Sequence, residues 1–398
     1  MPRDRAELER IERDTLASYA QFSDASRGRV YPEEPSDWRT HYQRDRDRVI
    51  HSRAFRRLEY KTQVFLNGSG DHIRTRLTHT MEVAAISRNI ARALRLNEDL
   101  AETIALAHDL GHSPFGHRGE AVLNRLMLEH GGFEHNRQSL RIVDSMESKY
   151  PTHPGLNLSW ETREGLMKHR TVWDDPELEA EFDAPYPTLE AQVANVSDEI
   201  AYYSHDLDDG LETDLLDEQA LGSNVAIWAS GARQVQQSWG ELNKERRRYF
   251  IIRCIIDEQV KDVVRESERR ILDSGISSAD QARLREGAPL VSYSQDRGDQ
   301  NQELRAYLFD NLYWNPVVRR PNERAGAMLE RLFLDFINDI NKAPPQVAVW
   351  AKEKGVPRAV CDYLSALTDG GAIRQYIALY GRDENVPEMI PPSSPFLY

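Results

Sequence analysis

The chain has 398 residues, of which 40% are hydrophobic and 29% charged, and its formal net charge is -14 at pH 7. This acidic balance disfavours a protein devoted to nucleic acid, because that class is usually basic. No apolar run approaches the roughly 20 residues of a membrane span, and the charged N-terminal pattern lacks a signal-peptide core. Two distant cysteines, Cys254 and Cys361, argue against a CxxC metal site and a disulfide framework. We therefore expect a cytoplasmic protein without a membrane partner.

The segment 44–61, RDRDRVIHSRAFRRLEYK, is locally basic within this acidic chain. Local positive charge suits a phosphate-bearing ligand, but a solvated helix face accounts for it equally well. Arg44, Arg46 and Arg48 alternate with aspartates. That alternation favours a solvated or intersubunit ladder of charges over a phosphate site.

Helical periodicity dominates the chain from residue 78 onward. Asn97 is placed to cap a helix whose first turn is acidic and which meets Gly111, a typical stop. Helical patterns occupy the segments 78–96, 97–111, 118–132, 186–211, 239–275, 301–314 and 323–341. The best strand candidate is 288–294, APLVSYS, which fits one arm of a small hairpin.

These patterns predict an all-α protein with at most a small β-hairpin. We expect an N-terminal helical and loop segment at 1–45, a core at 46–215, and a helical C-terminal region at 216–398 packed on that core. At this length, a single large helical body is as compatible with the patterns as two or three domains are.

The histidines are clustered, since nine of the twelve lie between positions 72 and 169 and none follows His205. His79 lies at the start of one predicted helix, His108 and Asp109 lie at the end of the next, and Asp198 lies in a third. Two imidazoles and two carboxylates suit a hard or borderline divalent metal and leave coordination positions open, as catalytic sites do. Any one of these histidines fits a structural role better than a ligand role, but the set together favours a metal site.

A second group of titratable residues follows in the run HDLGHSPFGH and beyond. Glu120 comes three residues after His117, so a helix places both on one face, where the carboxylate can fix the ring as a proton-transfer group. His112 is placed to face the metal or a phosphate, and His135 is flanked by Glu134 and Asn136. A structural hydrogen bond is the alternative for His112 and His135.

Basic side chains in the same part of the sequence as the histidine cluster predict a phosphate-bearing ligand. Glycine-rich phosphate loops of the two common kinds are absent from the sequence, so a phosphate would be held by metal and basic side chains. Tyr202 lies one helical turn after Asp198, on the metal-facing side. The candidate phosphate binders are Arg53, Arg57, Arg76, Lys168 and His169.

Taken together, the segments that carry these residues resemble the bacterial deoxyguanosinetriphosphate triphosphohydrolase-like proteins, which are HD-domain phosphohydrolases. The resemblance runs from about residue 40 to 215, and two later blocks, DNLYWNPVV and LSALTDGGA, extend it. It implies an HD-domain helical fold with additional C-terminal helices. The matching segments are RDRDRVIHSRAFRRLEYKTQVF, GDHIRTRLTHTMEVA, IALAHDLGHSPFGHRGE, GGFEHNRQSLRIV, GLNLSWETREGLMKH and VSDEIAYYSHDLDDGL.

The resemblance implies roles for individual residues. His117, supported by Glu120, would act at the scissile bond, His112 would contact a phosphate, and Gln63 would contact the sugar. His135 and Asn136 match a motif in the catalytic neighbourhood. Phosphate or sugar contacts are implied for Arg76, Lys168 and Tyr202. The implied metal ligands are His79, His108, Asp109 and Asp198.

The implied reaction is metal-dependent hydrolysis of deoxynucleoside triphosphates, of dGTP or of several, at the α-phosphorus. It yields a deoxynucleoside and tripolyphosphate, and the ligand set suits Mn, Mg, Fe, Co, Ni or Zn alike. The resemblance also implies a homo-oligomer, a tetramer or hexamer, with deoxynucleoside triphosphates as possible activators and single-stranded nucleic acid as a possible partner. Two alternatives remain: an HD-type phosphodiesterase or nucleotidase on other nucleotides, and a nucleotide- or DNA-binding regulator with a vestigial site.

Overall fold

The computed structural model describes residues 2–66, 72–169 and 180–387. Within these ranges the chain forms eighteen α-helices and three isolated β-bridges, and no strand. The expected all-α fold is therefore confirmed. In the same ranges, no helix combines the length and the apolar character that crossing a membrane requires.

The N-terminal half contains nine α-helices: α1 (Arg5–Thr15), α2 (His41–Ile50), α3 (Arg53–Arg57), α4 (Arg76–Ala93), α5 (Glu98–Ala107), α6 (Gly116–Met127), α7 (His135–Arg141), α8 (Trp160–Met167) and α9 (Leu189–Glu212). Nine more follow: α10 (Glu218–Asn224), α11 (Ala226–Trp239), α12 (Lys244–Ser274), α13 (Ala279–Leu284), α14 (Gln295–Leu308), α15 (Pro316–Asn338), α16 (Pro345–Lys354), α17 (Val356–Ser365) and α18 (Asp369–Tyr380). Short 3-10 turns include His108–Gly111, and the π-helical segments are Ile142–Met146 and Phe309–Tyr313.

Helices α4, α5 and α9 pack together at the centre of the largest apolar core. Val83, Ile104 and Ile200, one from each helix, are fully buried there, and each such side chain contributes roughly 1.5–3 kcal/mol by leaving water. Asn97 caps α5 as expected, with its side chain accepting from the backbone N–H of Leu100 at 3.2 Å. This packing fixes the three segments that carry the predicted metal ligands.

The close approach of α7 to the end of α5 requires a glycine at position 111. A Cβ on Gly111 would lie 2.1 Å from the carbonyl oxygen of His135 and 2.3 Å from the backbone nitrogen of Ser139. Since real Cβ atoms do not approach backbone this closely, only glycine lets α7 pack there. Gly111 therefore brings His135 beside the turn that carries His108.

A second apolar core joins the two halves of the chain. Leu123 of α6 lies in this core with Leu332 of α15, Val360 of α17 and Tyr376 of α18, and all four are fully buried. Helices α15 and α17 therefore pack on α6. The proposed boundaries at residues 45 and 215 remain a prediction.

The predicted strand at 288–294 is wrong. Its backbone hydrogen-bonds to side chains instead of to a second strand. Leu290 and Val291 donate to Oε1 of Gln192 at 3.1 and 3.2 Å, and Ser294 donates to Asp262 at 2.9 Å. The fully buried Gln192 side chain thus supplies the acceptor that a hairpin partner would have supplied.

The predicted helix at 239–275 begins later than expected. Gly240 has a φ of +67° and ends α11 at Trp239. Asn243 then caps α12 by accepting from the backbone N–H of Arg246 at 2.9 Å. The two cysteines, Cys254 and Cys361, are both buried and unbonded.

The arginines that alternate with aspartates in α2 are engaged within the chain. Arg44 pairs with Glu33 at 3.0 Å and Arg46 with Asp99 at 2.7 Å. Arg48 donates to the carbonyl oxygen of Leu156 at 2.7 Å. These three arginines therefore hold loops and α5 against α2.

Candidate metal and phosphate site

A cavity lies where α4 begins and α5 ends, beside α9. Most of the predicted site residues meet here. The lining residues are Gln63, Arg76, His79, His108, Asp109, His112, His117, His135, His169, Asp198, Glu199, Tyr202 and Tyr203.

The four predicted metal ligands converge at the base of this cavity. Nε2 of His79 lies 2.8 Å from Oδ1 of Asp198. Nε2 of His108 lies 3.4 Å from Oδ1 of Asp109 and 3.6 Å from Oδ1 of Asp198. Ligand atoms of His79, His108 and Asp109 all fall within 4.8 Å of one another, which one cation can bridge.

The protonation of His108 fits a metal ligand. Its Nδ1 donates to the carbonyl oxygen of Ala105 at 2.7 Å, and its buried Nε2 has no hydrogen-bond partner among the described residues. A ring held in this way directs Nε2 toward the carboxylates, as metal-bound histidines do. Burial favours the neutral ring, but Asp109 and Asp198 outweigh it and raise the pKa of His108 to about 9. A divalent cation would replace that proton.

Arg76 adds an anion-binding group beside the metal ligands. Its NH1 lies 3.0 Å from both oxygens of Asp109, while its buried Nε and NH2 have no partner among the described residues. Burial acts against ionisation of Asp109, but Arg76 and then His112 hold the pKa of that carboxyl well below its usual range. The unsatisfied guanidinium nitrogens are suited to a phosphate oxygen.

A histidine pair forms the next part of the cavity wall. The rings of His112 and His135 lie 3.9 Å apart between centroids. Burial, then Arg76 and His135, hold the pKa of His112 well below its usual range, so this ring is neutral. His117 lies closer to the opening, with 57% of its side chain exposed.

Glu120 binds His135 more closely than it binds His117. Its Oε1 lies 3.0 Å from Nδ1 of His135 and accepts from the His135 backbone N–H at 2.9 Å. Its Oε2 lies 4.0 Å from Nδ1 of His117, an ion-pair distance and not a hydrogen bond. Burial acts against ionisation, yet His135 holds the pKa of Glu120 well below its usual range. The support of His117 by Glu120 therefore remains a prediction.

The other predicted ligand contacts divide into two groups. Gln63 lines the cavity with a buried Oε1 that has no partner among the described residues, and Tyr202 lines it too. Lys168 instead donates to Glu164 at 3.0 Å and to the carbonyl oxygen of Tyr186 at 3.3 Å. Arg57 is exposed on α3 and is not a lining residue. Phosphate or sugar contacts from Lys168 and Arg57 remain predictions.

His169, predicted as a phosphate binder, lies directly against two of the predicted metal ligands. Its Nε2 lies 3.3 Å from Oδ2 of Asp198, and its ring centroid lies 4.9 Å from that of His108. The side-chain amide of Asn136 holds the carbonyl oxygen of His169 at 3.0 Å. His169, Asp198 and His108 thus form a second group whose ligand atoms one cation can bridge.

His205 and Asp206 were not predicted as site residues, and neither lines the cavity, but both contact residues that do. His205 follows Asp198 by seven residues, two helical turns on one face, and contacts the ring of His79 at 3.1 Å. Asp206 follows Tyr202 by four and accepts from the hydroxyl of Tyr313 in the C-terminal half. Burial raises the pKa of Asp206 to about 8. The helical spacing was the signal that could have identified them.

Comparison with protein families places these residues in known domains. An HD domain matches residues 76–221, and a phosphohydrolase-associated domain matches residues 291–378. The first contains the four metal ligands, and the second contains Tyr313.

Curated relatives match nearly the whole chain. A deoxyguanosinetriphosphate triphosphohydrolase-like protein of Geobacter sulfurreducens is 44% identical over 94% of this chain and 98% of its own. Proteins of the same name from Azoarcus and Thiobacillus denitrificans are 45% and 44% identical, over 93% of this chain and 97% and 98% of theirs. The chain is therefore a metal-dependent HD-domain hydrolase and belongs to the family of deoxyguanosinetriphosphate triphosphohydrolase-like proteins.

Proposed function

We propose that the chain hydrolyses deoxynucleoside triphosphates, dGTP or several of them, at the α-phosphorus and releases a deoxynucleoside and tripolyphosphate. One observation carries this proposal: Asp109 is shared between the metal ligands and Arg76, whose remaining nitrogens are buried and unsatisfied. A cation site and an anion site therefore adjoin across one carboxylate. Such a pair accommodates a phosphate that contacts both.

Arg76 and His112 would hold the phosphate beside the metal ligands. The guanidinium of Arg76 can offer its free nitrogens to a phosphate oxygen without leaving Asp109. His112 is neutral, and its Nδ1 lies 2.9 Å from Oδ1 of Asp109, so its buried, unsatisfied Nε2 donates to a phosphate only when it, and not Nδ1, carries the single proton of the ring. When bound, the metal would polarise the phosphorus centre and lower the barrier to attack by water.

His117 would supply the proton that the departing 5′-oxygen requires. It lies next to His112, with ring centroids 5.9 Å apart, and its exposure lets it approach a bound nucleotide. In the proposed step, water adds to the α-phosphorus, the bond to the 5′-oxygen breaks, and that oxygen takes the proton from His117. Gln63 and Tyr202, both on the cavity wall, are placed to contact the sugar or the phosphates.

A product assay tests this function against the nearest alternative. Each of the four deoxynucleoside triphosphates is incubated with the chain and Mn²⁺ or Mg²⁺, and products are separated by chromatography. Tripolyphosphate with the free deoxynucleoside supports the proposal. Release of inorganic phosphate or pyrophosphate, or hydrolysis of monophosphates or cyclic nucleotides only, would favour a nucleotidase or phosphodiesterase.

We also propose that the chain assembles as a tetramer or hexamer, responds to deoxynucleoside triphosphate activators, and binds single-stranded nucleic acid. Light scattering of the purified chain tests the assembly. Hydrolysis of nucleotides offered in pairs tests activation, since an activator raises the rate with its partner. Titration of single-stranded DNA across salt concentrations tests binding, because phosphate contacts give a steep salt dependence.

A further inference from the structure

Behind His79, two side chains form a hydrogen-bonded series that leads away from the cavity. Nδ1 of His205 lies 3.1 Å from Nδ1 of His79, and the rings meet edge to face. Nε2 of His205 contacts Oε2 of Glu82, which lies one turn after His79 on α4. His79 and His205 are buried, whereas 44% of the Glu82 side chain is exposed. The series thus connects a metal ligand to the protein surface.

The contact between the two imidazoles constrains their protons. A hydrogen bond between two ring nitrogens requires that one carries a proton and the other a lone pair. Because an ionised carboxylate only accepts, Nε2 of His205 must carry a proton to bond Glu82. If His205 is neutral, its Nδ1 has the lone pair, so Nδ1 of His79 must be the donor. Nε2 of His79 then keeps a lone pair for a cation that lies between it and Asp198; without the cation, the 2.8 Å contact with that carboxylate requires a second proton, on Nε2.

The opposite arrangement is incompatible with metal binding. If Nδ1 of His205 carried a proton, it would donate to Nδ1 of His79, and a neutral His79 would carry its proton on Nε2. That nitrogen lies 2.8 Å from Asp198 and is the one that faces the other ligands. A protonated nitrogen cannot ligate a cation, so the direction of the series decides whether His79 is a ligand.

We propose that Glu82 and His205 are positioning residues that hold His79 in the tautomer with a free Nε2, as its ligand role requires. This inference rests on the metal site of the proposed function. Glu82 acts as the terminal acceptor that sets the direction of both hydrogen bonds. Arg74, whose Nε lies 3.4 Å from Oε1 of Glu82, keeps that carboxylate in place.

Variants at position 82 test the direction of the series. Glu82→Lys replaces the acceptor by a donor and should reverse both hydrogen bonds, whereas the amide oxygen of Glu82→Gln still accepts. Asp208→Lys is the matched control, because Asp208 also pairs with Arg74, at 2.7 Å, is 40% exposed, and has no described contact with His205. Both lysine variants replace an acid that pairs with Arg74 by a base, so they change the local charge equally.

Two measurements without nucleotide are needed. ¹⁵N spectra of histidine-labelled, metal-free protein report whether Nδ1 of His79 carries a proton, and titration with Mn²⁺ gives the metal affinity. We expect Glu82→Lys to remove the proton from Nδ1 of His79 and to weaken Mn²⁺ binding by roughly 10- to 100-fold, the usual effect of disturbing a ligand's outer partner. Glu82→Gln and Asp208→Lys should remain within about threefold of the parent chain.

Equal weakening by Glu82→Lys and Asp208→Lys would overturn the inference, because charge alone would then explain the loss. So would a proton that stays on Nδ1 of His79 in Glu82→Lys. Thermal unfolding of each metal-free variant separates these results from misfolding. If Glu82→Lys does not fold, weakening of Mn²⁺ binding by more than about threefold in Glu82→Gln would overturn the inference, because its amide oxygen still accepts. Failure of the parent chain to bind Mn²⁺, Mg²⁺ or another divalent ion would overturn the proposed function as well. Parent binding with no effect at position 82 would overturn this inference only.

Discussion

The backbone N–H of Phe115 donates to Oδ1 of Asp369 at 2.9 Å, across 254 positions of the chain. Phe115 has a φ of +66°, an uncommon conformation for a residue with a side chain, and it immediately precedes α6, which carries His117. Oδ2 of Asp369 accepts from the backbone N–H of Thr62 at 3.0 Å, next to Gln63. One carboxylate on the last helix therefore holds two segments of the candidate site.

Replacement of Asp369 should lower both stability and activity. Asp369→Ala leaves the buried N–H groups of Phe115 and Thr62 unsatisfied, and each such loss costs about 1–3 kcal/mol. We expect a decrease in unfolding free energy of ~2–6 kcal/mol by urea denaturation and slower deoxynucleoside triphosphate hydrolysis. Glu384→Ala, which removes an exposed acid of the same C-terminal region, is the control and should leave the hydrolysis rate unchanged. A full rate in Asp369→Ala would show that the segments keep their positions without this carboxylate.

Removal of the His117 ring should separate catalysis from metal binding. Because His117 lies apart from the metal ligands and near the opening, His117→Ala should retain Mn²⁺ affinity. Proton transfer by a positioned side chain typically contributes 10²- to 10⁴-fold, so we expect the hydrolysis rate to fall by roughly that factor. Single-turnover kinetics at saturating Mn²⁺ measure the rate, and full activity in the variant would exclude the proposed role.

Metal affinity should rise with pH. The carboxylates of Asp109 and Asp198 outweigh burial and raise the pKa of His108 to about 9, so below that pH the metal-free ring holds a proton that ligation must displace. One displaced proton increases affinity by up to about tenfold per pH unit. Titrations with Mn²⁺ from pH 6.5 to 9 should therefore show tighter binding at each step. Affinity that is independent of pH would contradict the ligand role of His108.

Lys61 should make the stability of the chain depend on pH. Its buried Nζ donates to the carbonyl oxygens of His112 and Ser365, and burial, with Arg57 and Arg76, lowers its pKa from 10.5 to about 7. Between these values the unfolded chain binds the proton and the folded chain does not, so stability rises with pH. Below about pH 7 both states are protonated and this contribution is constant.

Comparison of the parent chain with Lys61→Met isolates that contribution from other titrating groups. From pH 7 to 9.5 the unfolding free energy of the parent chain should rise relative to the variant by at most about 1.4 kcal/mol per pH unit. Urea denaturation at half-unit intervals measures the difference. A constant difference across this range would show that folding does not shift the Lys61 pKa.

The site residues that could be identified from the sequence share one property: their side-chain chemistry and their spacing along the chain are recognisable without the structure. His79, His108, Asp109 and Asp198 were identified because two imidazoles and two carboxylates lie at the ends of two predicted helices and within a third, and the structure brings them together. Arg57 was assigned by its charge and Lys168 by its charge and the family resemblance, and neither lines the cavity. Charge identifies the ligand that a side chain suits, but the path of the backbone decides what it reaches.

The strand predicted at 288–294 shows that a local residue pattern is also insufficient to predict every element of the fold. Its residue pattern suits an extended segment, but a strand also needs a partner. The partner is the side chain of Gln192, about a hundred positions away, and no local pattern encodes that contact.

The sequence by itself determined the helical architecture and the family and predicted the metal ligands, because helical periodicity, caps and ligand chemistry are local properties of the chain. Only the tertiary structure decided which partner each titratable group has. It paired Glu120 with His135 more closely than with His117, attached Asp369 to Phe115, and placed His205 and Glu82 behind His79. Hydrogen bonds act over about 3 Å, so these relations exist only once packing has brought distant helices together.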